Sequence, residues 1–232
     1  MNVSEARASD DRGLFARLRD ANVESWCAFT EHPFLDALAT GELDEAAFRY
    51  YLIQDYIFLR HFSRAYGLAA YKAESIDEIR DASRGLHAII DIELDLHVSY
   101  CSEWGVDAAA LDSAQEDEAT LAYTRYVLER GMSGDLLDLY VALAPCVVGY
   151  GVIGSRLIGD SATKFEGNPY SAWIEMYGGE AYQATAAEAV RALDKVGRAR
   201  GAEARMDTLV GIFGEATRLE ARFWDMGLAL TG

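Results

Sequence analysis

Apolar residues recur every three to four positions through most of the chain, and alternating stretches of β-branched residues are almost absent. This period is typical of amphipathic helices rather than strands. With three prolines and no repeat or linker, the chain is predicted to be one all-α, multi-helix domain over residues 1–232, of which 1–11 form a flexible N-terminus. The predicted helices cover residues 12–30, 44–72, 75–104, 115–131, 134–159, 169–177, 180–198 and 202–229.

Several helix ends carry their own sequence signals. Asp44 can cap the start of the second helix, and Ser75-Ile76-Asp77-Glu78 has the pattern of a capping box. Glycines at 131, 134, 178 and 179 indicate breaks between the later helices.

Two acidic residues interrupt the apolar faces of their helices. Asp55 lies among Phe48, Tyr51 and Phe58, and Glu220 precedes Phe223-Trp224. A carboxylate in such a face costs several kcal/mol unless it is paired, hydrogen-bonded or beside a wet cavity. The alternatives are a functional site or a structural ion pair with an arginine such as Arg60, Arg64 or Arg222.

Cys146 directly follows Pro145 inside an apolar helical segment, with Tyr150 one turn further on. A proline within a helix removes one hydrogen bond and costs about 3 kcal/mol, so it predicts a bend that turns a side chain toward a cavity. Cys146 is then either a nucleophile, with the Tyr150 phenol as its proton acceptor, or a buried thiol that packs as a small hydrophobe.

The other polar candidates are thirteen tyrosines and four histidines. Tyr123, Tyr150 and Tyr177 indicate a pocket for a flat, polar ring, although aromatic residues at helical spacing are more often core. Glu93 and His97 are spaced as two metal ligands on one helix would be, but no histidine follows residue 97, so we expect no di-iron site. We expect Glu93 and His97 to form a hydrogen bond with each other instead. No glycine-rich phosphate loop occurs, and we expect neither a metal nor a cofactor.

The overall charge, the apolar runs and the cysteines limit the partners and the location that we expect for the protein. A formal charge of −17 with no basic patch disfavours nucleic acid. We expect no apolar run of the ~18 residues that cross a bilayer and no signal peptide. Three cysteines without a CxxC motif favour reduced thiols. The expected location is cytoplasmic.

The order and spacing of several segments resemble the TenA family of thiaminase II and aminopyrimidine hydrolases, over about residues 14–228. The segments are His32-Pro33-Phe34, Tyr51 to Leu59, Glu93 to His97, Pro145-Cys146 through Tyr150 and Gly154, Trp173 to Gly179, and Glu220 with Phe223-Trp224. The resemblance implies the heme-oxygenase-like all-α fold and a homotetramer. It also implies hydrolysis of an aminomethyl pyrimidine, or of thiamin, to the hydroxymethyl pyrimidine in thiamin salvage.

The same resemblance implies a role for each matching residue. Cys146 matches the nucleophile of the cysteine-bearing branch, and Glu220 matches the carboxylate that handles the ring proton. Asp55 matches the acid that holds the amino edge of the ring, and Phe58 matches an aromatic wall. The tyrosines around the ring and leaving group are matched by Tyr123, Tyr150 and Tyr177.

Two departures from the family pattern are Val152, acidic in some relatives, and Arg218-Leu219, where a tyrosine often precedes the glutamate. Three other functions compete with hydrolysis. They are a regulator that acts indirectly, a heme-binding or quinone-cofactor-forming enzyme of the same fold, and a pyrimidine-binding protein without catalysis.

Overall fold

A computed structural model describes residues 12–229 of the chain. Within them the structure is helical and contains no strand. The α-helices are α1 (Leu14–Asp20), α2 (Val23–Thr30), α3 (Pro33–Thr40), α4 (Glu45–Lys72), α5 (Ile76–Ala88), α6 (Leu94–Glu103), α7 (Ala108–Ser113), α8 (Glu118–Ser133), α9 (Leu136–Gly159), α10 (Ser171–Gly178), α11 (Glu180–Ala199) and α12 (Met206–Leu228). The all-α prediction is therefore confirmed, whereas the predicted N-terminal segment 1–11 lies outside the described residues.

The long helices begin and end close to their predicted positions, and the predicted caps form. The Asp44 side chain accepts a hydrogen bond from the Ala46 amide, and Ser75 accepts one from the Glu78 amide. The box at Ser75 is displaced by one residue, because the Glu78 carboxylate accepts from the Glu74 amide. Helix α10 ends at Gly178 as predicted.

The predicted first helix, 12–30, is wrong, since it divides into α1 and α2. Asn22 between them donates from its side chain to the Leu18 and Val210 carbonyls, which ties the break to helix α12. Helix α3 was not predicted, although His32 caps it, Pro33 opens it and Gly41 ends it in the left-handed conformation, with φ of 75°.

The predicted helix over 75–104 is interrupted by a π-helical turn at Ile89–Glu93, between α5 and α6. A π turn inserts one residue into the helical register, so side chains on either side of it face different directions than a regular α-helix would give. Such turns are frequent at functional sites, and this one ends at Glu93.

Helix α9 is the central element and contacts α2, α4, α8, α10, α11 and α12. It continues through Pro145, which is buried. The expectation that no apolar run reaches membrane-spanning length is wrong, because α9 is long and apolar enough to cross a membrane, judged by length and composition only. Of its most apolar window, however, 83% is buried inside the protein, as in the core helix of a folded domain.

One close contact fixes α10 against α9. A Cβ on Gly154 would lie 2.3 Å from the carbonyl carbon of Tyr177 and 2.4 Å from the amide nitrogen of Gly178. Both are backbone atoms, so the two helices touch only because residue 154 has no side chain. This contact holds Tyr177 beside the face of α9 that carries Tyr150.

Candidate active site

Cys146, Glu220 and Tyr123 form one hydrogen-bonded group between α8, α9 and α12. The Tyr123 hydroxyl donates to Oε1 of Glu220 at 2.7 Å, and Glu220 also hydrogen-bonds the Cys146 thiol. Tyr123 and Glu220 are fully buried, whereas Cys146 keeps some accessible surface. The three predicted residues thus lie together, on three helices that meet only in the folded chain.

Burial determines the ionisation of this group. It raises the pKa of Glu220 from 4.5 to about 8, with the nearby Asp55 charge adding to the rise, although hydrogen bonds from Tyr123 and Cys146 oppose it. Burial, and next the charge of Glu220, raise the pKa of the Cys146 thiol well above its ordinary value. At neutral pH the resting pair is therefore a neutral carboxylic acid beside a thiol.

Asp55 on α4 lies in a second polar group that adjoins the first. Its Oδ2 is 3.5 Å from Nδ1 of His97, and its carboxylate hydrogen-bonds the Tyr51 hydroxyl. Nε2 of His97 is 2.8 Å from the Leu52 carbonyl, which keeps that nitrogen protonated and the ring fixed. Burial raises the pKa of Asp55 to about 7, against the effect of the Tyr51 hydrogen bond.

Glu93, at the end of the π turn, is a third carboxylate of the site. Burial and then the charge of Asp55 raise its pKa to about 8. Glu93 and His97 both line a cavity of about 20 Å³ beside Tyr51 and Tyr177, a volume sufficient for one water molecule. The carboxyls of Asp55, Glu93 and Glu220 therefore all have raised pKa values, and the charge of Asp55 adds to the rise at both glutamates.

Aromatic rings pack against one another around these carboxyls. Phe58 stacks on Tyr123 with ring centroids 4.9 Å apart and an interplanar angle of 28°. Tyr150 packs on Tyr177 at 4.8 Å, and Trp173 lies 4.6 Å from Tyr177. The predicted tyrosines and Phe58 are all buried, and they form two contacting pairs, Phe58 with Tyr123 and Tyr150 with Tyr177; a ring-binding pocket among them stays a prediction.

Two sequence-based alternatives are resolved by these contacts. Among the described residues, no ion pair joins Asp55 or Glu220 to an arginine, and Arg64 instead contacts His61. The acids are therefore not halves of structural arginine pairs. The predicted proton acceptor for Cys146 is also wrong, because the thiol meets Glu220 rather than Tyr150, and the Tyr150 ring instead packs on Phe29, Trp173, Tyr177 and Trp224.

A third expectation, the Glu93–His97 hydrogen bond, is wrong as well. The two nitrogens of His97 face the Leu52 carbonyl and Asp55. All three cysteines are free. Within residues 12–229, no three His, Cys, Asp or Glu side chains are grouped as a metal site would require.

Of the residues that depart from the family pattern, Val152 and Arg218 lie on the surface, whereas Leu219 is buried next to Glu220 on α12. Val152 is exposed on α9, and Arg218 pairs with Glu215 on the outer side of α12. Neither is among the residues that contact Cys146, Glu220 or Asp55.

The sequence profile of the TENA/THI-4/PQQC family matches residues 20–229, nearly the whole chain. The chain belongs to this family. An aminopyrimidine aminohydrolase of Halalkalibacterium halodurans is 32% identical over 87% of this chain and 89% of its own length. A solved TenA family transcription regulator from Silicibacter sp. TM1040 is 44% identical, with a TM-score of 0.88 over 93% of this chain and 96% of that one.

The fold of this family member is the heme-oxygenase-like one. A solved domain with that fold from Shewanella denitrificans OS217 superimposes with a TM-score of 0.73 over 94% of this chain and 95% of that one, at 17% identity.

Glu93, Tyr51 and His97 belong to the site but were not predicted as members of it. Tyr51 was counted only as part of the apolar stripe on α4, although it is one turn before Asp55 and shares its face. Glu93 could not be placed without knowledge of the π turn, because regular α-helical geometry pairs it with His97.

Proposed function

We propose that this TenA family protein is an aminopyrimidine aminohydrolase of the thiaminase II type, acting in thiamin salvage. Its substrate is 4-amino-5-aminomethyl-2-methylpyrimidine or thiamin, and its product is the hydroxymethyl pyrimidine. The observation that carries the proposal is the buried Cys146–Glu220–Tyr123 group beside Asp55. The similarity to the Halalkalibacterium halodurans aminohydrolase supports the same reaction class.

The first step is addition of Cys146 Sγ to the ring carbon next to a ring nitrogen. Glu220 holds a proton at neutral pH, because its pKa is about 8, so it can protonate that nitrogen while it takes up the thiol proton. The proton is thus moved without a free thiolate in this site, where burial opposes one. Tyr123 keeps the Glu220 carboxyl in place.

The adduct then expels the leaving group. The lone pair of the 4-amino group forms a C=N bond, the ring double bond shifts to the exocyclic methylene, and the C–N bond to the leaving group breaks. An aminomethyl substrate in its ammonium form loses ammonia, and thiamin loses a neutral thiazole. Asp55 accepts a hydrogen bond from the amino group and stabilises the positive charge that develops there, provided that its carboxyl is ionised.

Water completes the reaction by adding to the methylene carbon and giving up one proton. The ring double bond re-forms and the carbon–sulfur bond breaks, while Glu220 removes the proton from the ring nitrogen and returns its own proton to sulfur, which regenerates the thiol. Phe58 packs against the ring, while Tyr150 and Tyr177 enclose it and exclude bulk water. In this proposal Cys146 and Glu220 are catalytic, and Asp55, Phe58, Tyr123, Tyr150 and Tyr177 bind the substrate. No metal or cofactor takes part.

The test is turnover of both candidate substrates by the purified protein, with chromatographic detection of the hydroxymethyl pyrimidine. We expect turnover of at least one substrate and a fall in kcat of at least about 100-fold for Glu220→Gln, the size of a lost general acid, with KM changed little. A wild-type protein that releases no hydroxymethyl pyrimidine from either substrate would refute the proposal.

A second candidate, regulation of transcription, is favoured by the description of the Silicibacter relative. The charge of −17 opposes direct contact with DNA, so we propose that any such effect is indirect. A gel shift at physiological salt tests this, and a specific shift would overturn it. We further propose that the protein is a cytoplasmic homotetramer.

A further inference from the structure

The water molecule that adds to the methylene carbon in the proposed reaction needs a proton acceptor. At that stage Cys146 is bonded to the ring carbon, and Glu220 already carries the proton that it took from the thiol. Asp55 is engaged with the amino group of the ring. Tyr177 is a neutral phenol, since burial raises its pKa well above the ordinary value. The proton of the water must therefore go to a further base beside the ring.

Glu93 is an acidic residue whose carboxyl has no other task. Among the described residues it makes no hydrogen bond. It keeps some accessible surface, and it lines the cavity of about 20 Å³ beside Tyr51 and Tyr177. The π turn that ends at Glu93 changes the helical register at this point, which sets the direction of its side chain. An unpartnered carboxyl thus borders a space that fits one water molecule.

A water molecule in this cavity would meet other polar groups as well. Tyr100 lines the cavity, and its hydroxyl is buried without a hydrogen-bond partner among the described residues. A buried water makes about three hydrogen bonds, usually to polar groups that otherwise lack a partner. Glu93 and Tyr100 supply two such groups, whereas both nitrogens of His97 already face the Leu52 carbonyl and Asp55. The lining therefore suits a single held water.

The cavity adjoins the part of the site that holds the amino edge of the substrate. Two residues of its lining contact Asp55, since the Tyr51 hydroxyl hydrogen-bonds the carboxylate and Nδ1 of His97 lies 3.5 Å from Oδ2. In the substrate, the ring carbon that bears the amino group is bonded to the ring carbon that bears the methylene. When Asp55 binds the amino group, the methylene carbon therefore lies on the side of the ring that faces this cavity.

We propose that Glu93 is the general base that activates the attacking water, and that Tyr100 positions this water. The inference rests on the proposed function, because water is needed only after Cys146 has added to the ring and the leaving group has departed. Expulsion of the leaving group places a positive charge on the ring, and this charge favours the ionised form of Glu93 at that moment.

The step moves one proton and one set of bonds. The water oxygen bonds to the methylene carbon while a water proton passes to the Glu93 carboxylate. The exocyclic double bond shifts back into the ring, and the electron pair of the C=N bond returns to the amino nitrogen. Glu93 gives the proton to solvent when the hydroxymethyl pyrimidine leaves.

The test is rapid-quench kinetics of Glu93→Gln on the aminomethyl pyrimidine, with Glu103→Gln, an exposed position on α6, as the control. The variant should release one ammonia per active site in a burst and then turn over slowly, with the pyrimidine adduct on Cys146 visible by intact-protein mass spectrometry. We expect kcat to fall at least about 100-fold, the size of a lost general base. The value of kcat/KM should stay within twofold, because the irreversible loss of ammonia precedes the step that Glu93 assists.

Azide distinguishes a lost base from a distorted site. It is an anionic nucleophile that adds without giving up a proton, so it needs no base. We expect azide to speed the turnover of Glu93→Gln at least tenfold, to yield the azidomethyl pyrimidine, and not to speed Glu103→Gln. Tyr100→Phe should show the same burst with a smaller fall in kcat.

The outcomes separate this inference from the reaction on which it rests. Equal falls in kcat and kcat/KM for Glu93→Gln, the absence of an ammonia burst, or the absence of an azide product would overturn the role of Glu93 while the wild-type protein still hydrolyses the substrate. A wild-type protein that hydrolyses neither substrate would overturn the reaction and this inference together.

Discussion

Replacement of Glu220 by glutamine should stabilise the protein increasingly as the pH rises. The carboxyl is buried, and its pKa of about 8 in the folded chain compares with 4.5 for an unhindered glutamate. Between these two values the folded chain holds one proton more than the unfolded chain, so the wild-type protein loses stability as the pH rises. Glutamine still accepts the hydrogen bond from Tyr123 but does not titrate.

The magnitude follows from linkage. Each pH unit between 4.5 and about 8 removes about 1.4 kcal/mol from the free energy of unfolding through this one group. Across the whole interval the difference between Glu220→Gln and wild type should therefore grow by about 5 kcal/mol. Below the lower value and above the upper one, the difference should not change with pH.

The assay is urea unfolding of both proteins at half-unit steps from pH 4 to 9, with Glu215→Gln as the control. Glu215 is on the same helix but is partly exposed and paired with Arg218, so its replacement removes one carboxyl without touching the Tyr123–Glu220 contact. A Glu220→Gln difference that is flat would show that Glu220 is ionised in the folded protein, and the proton-transfer role would fail.

Three further predictions concern activity, packing and assembly. Because Asp55 must be ionised and Glu220 protonated, with pKa values of about 7 and about 8, kcat/KM should rise through about pH 7 and fall above about pH 8. Glu93→Gln should still show the fall in kcat/KM above about pH 8. If that fall disappears in Glu93→Gln, it must be assigned to Glu93 rather than to Glu220. Gly154→Ala should cost about 1–3 kcal/mol in unfolding experiments, because its Cβ meets backbone at 2.3 Å; Gly159→Ala, with nothing within 4 Å, should cost nothing, and equal effects would refute the close contact. Sedimentation should give four times the 25.5 kDa chain mass, and a monomer would refute the tetramer.

Much of the fold follows from local pattern, and much of the site does not. The period of apolar residues places α4 and α9 within one or two residues, since both are long and their first turns carry Asp44 and Asp135 as caps. Asp55 and Glu220 were recognisable because a carboxylate in an apolar stripe is costly without a purpose.

The remaining features depend on contacts between distant helices. The partner of Cys146 is a glutamate 74 positions away on α12, so only the packing of α9 against α12 could select it over Tyr150 on the same helix. The π turn before Glu93 and a second, larger cavity behind Val147 likewise have no local sequence signal. The π turn packs on α4, and this cavity is lined by residues of α4, α5, α9 and α11, so both depend on how distant parts of the chain meet.

The most direct test of the account is the turnover of Cys146→Ser beside Cys27→Ser and Cys101→Ser, with release of the hydroxymethyl pyrimidine as the signal. If Cys146 adds covalently to the ring, its replacement should lower kcat at least about a thousandfold, as loss of a nucleophile does. The other two variants should stay within about twofold, because neither thiol contacts Glu220. A Cys146→Ser protein with wild-type turnover would contradict the central claim.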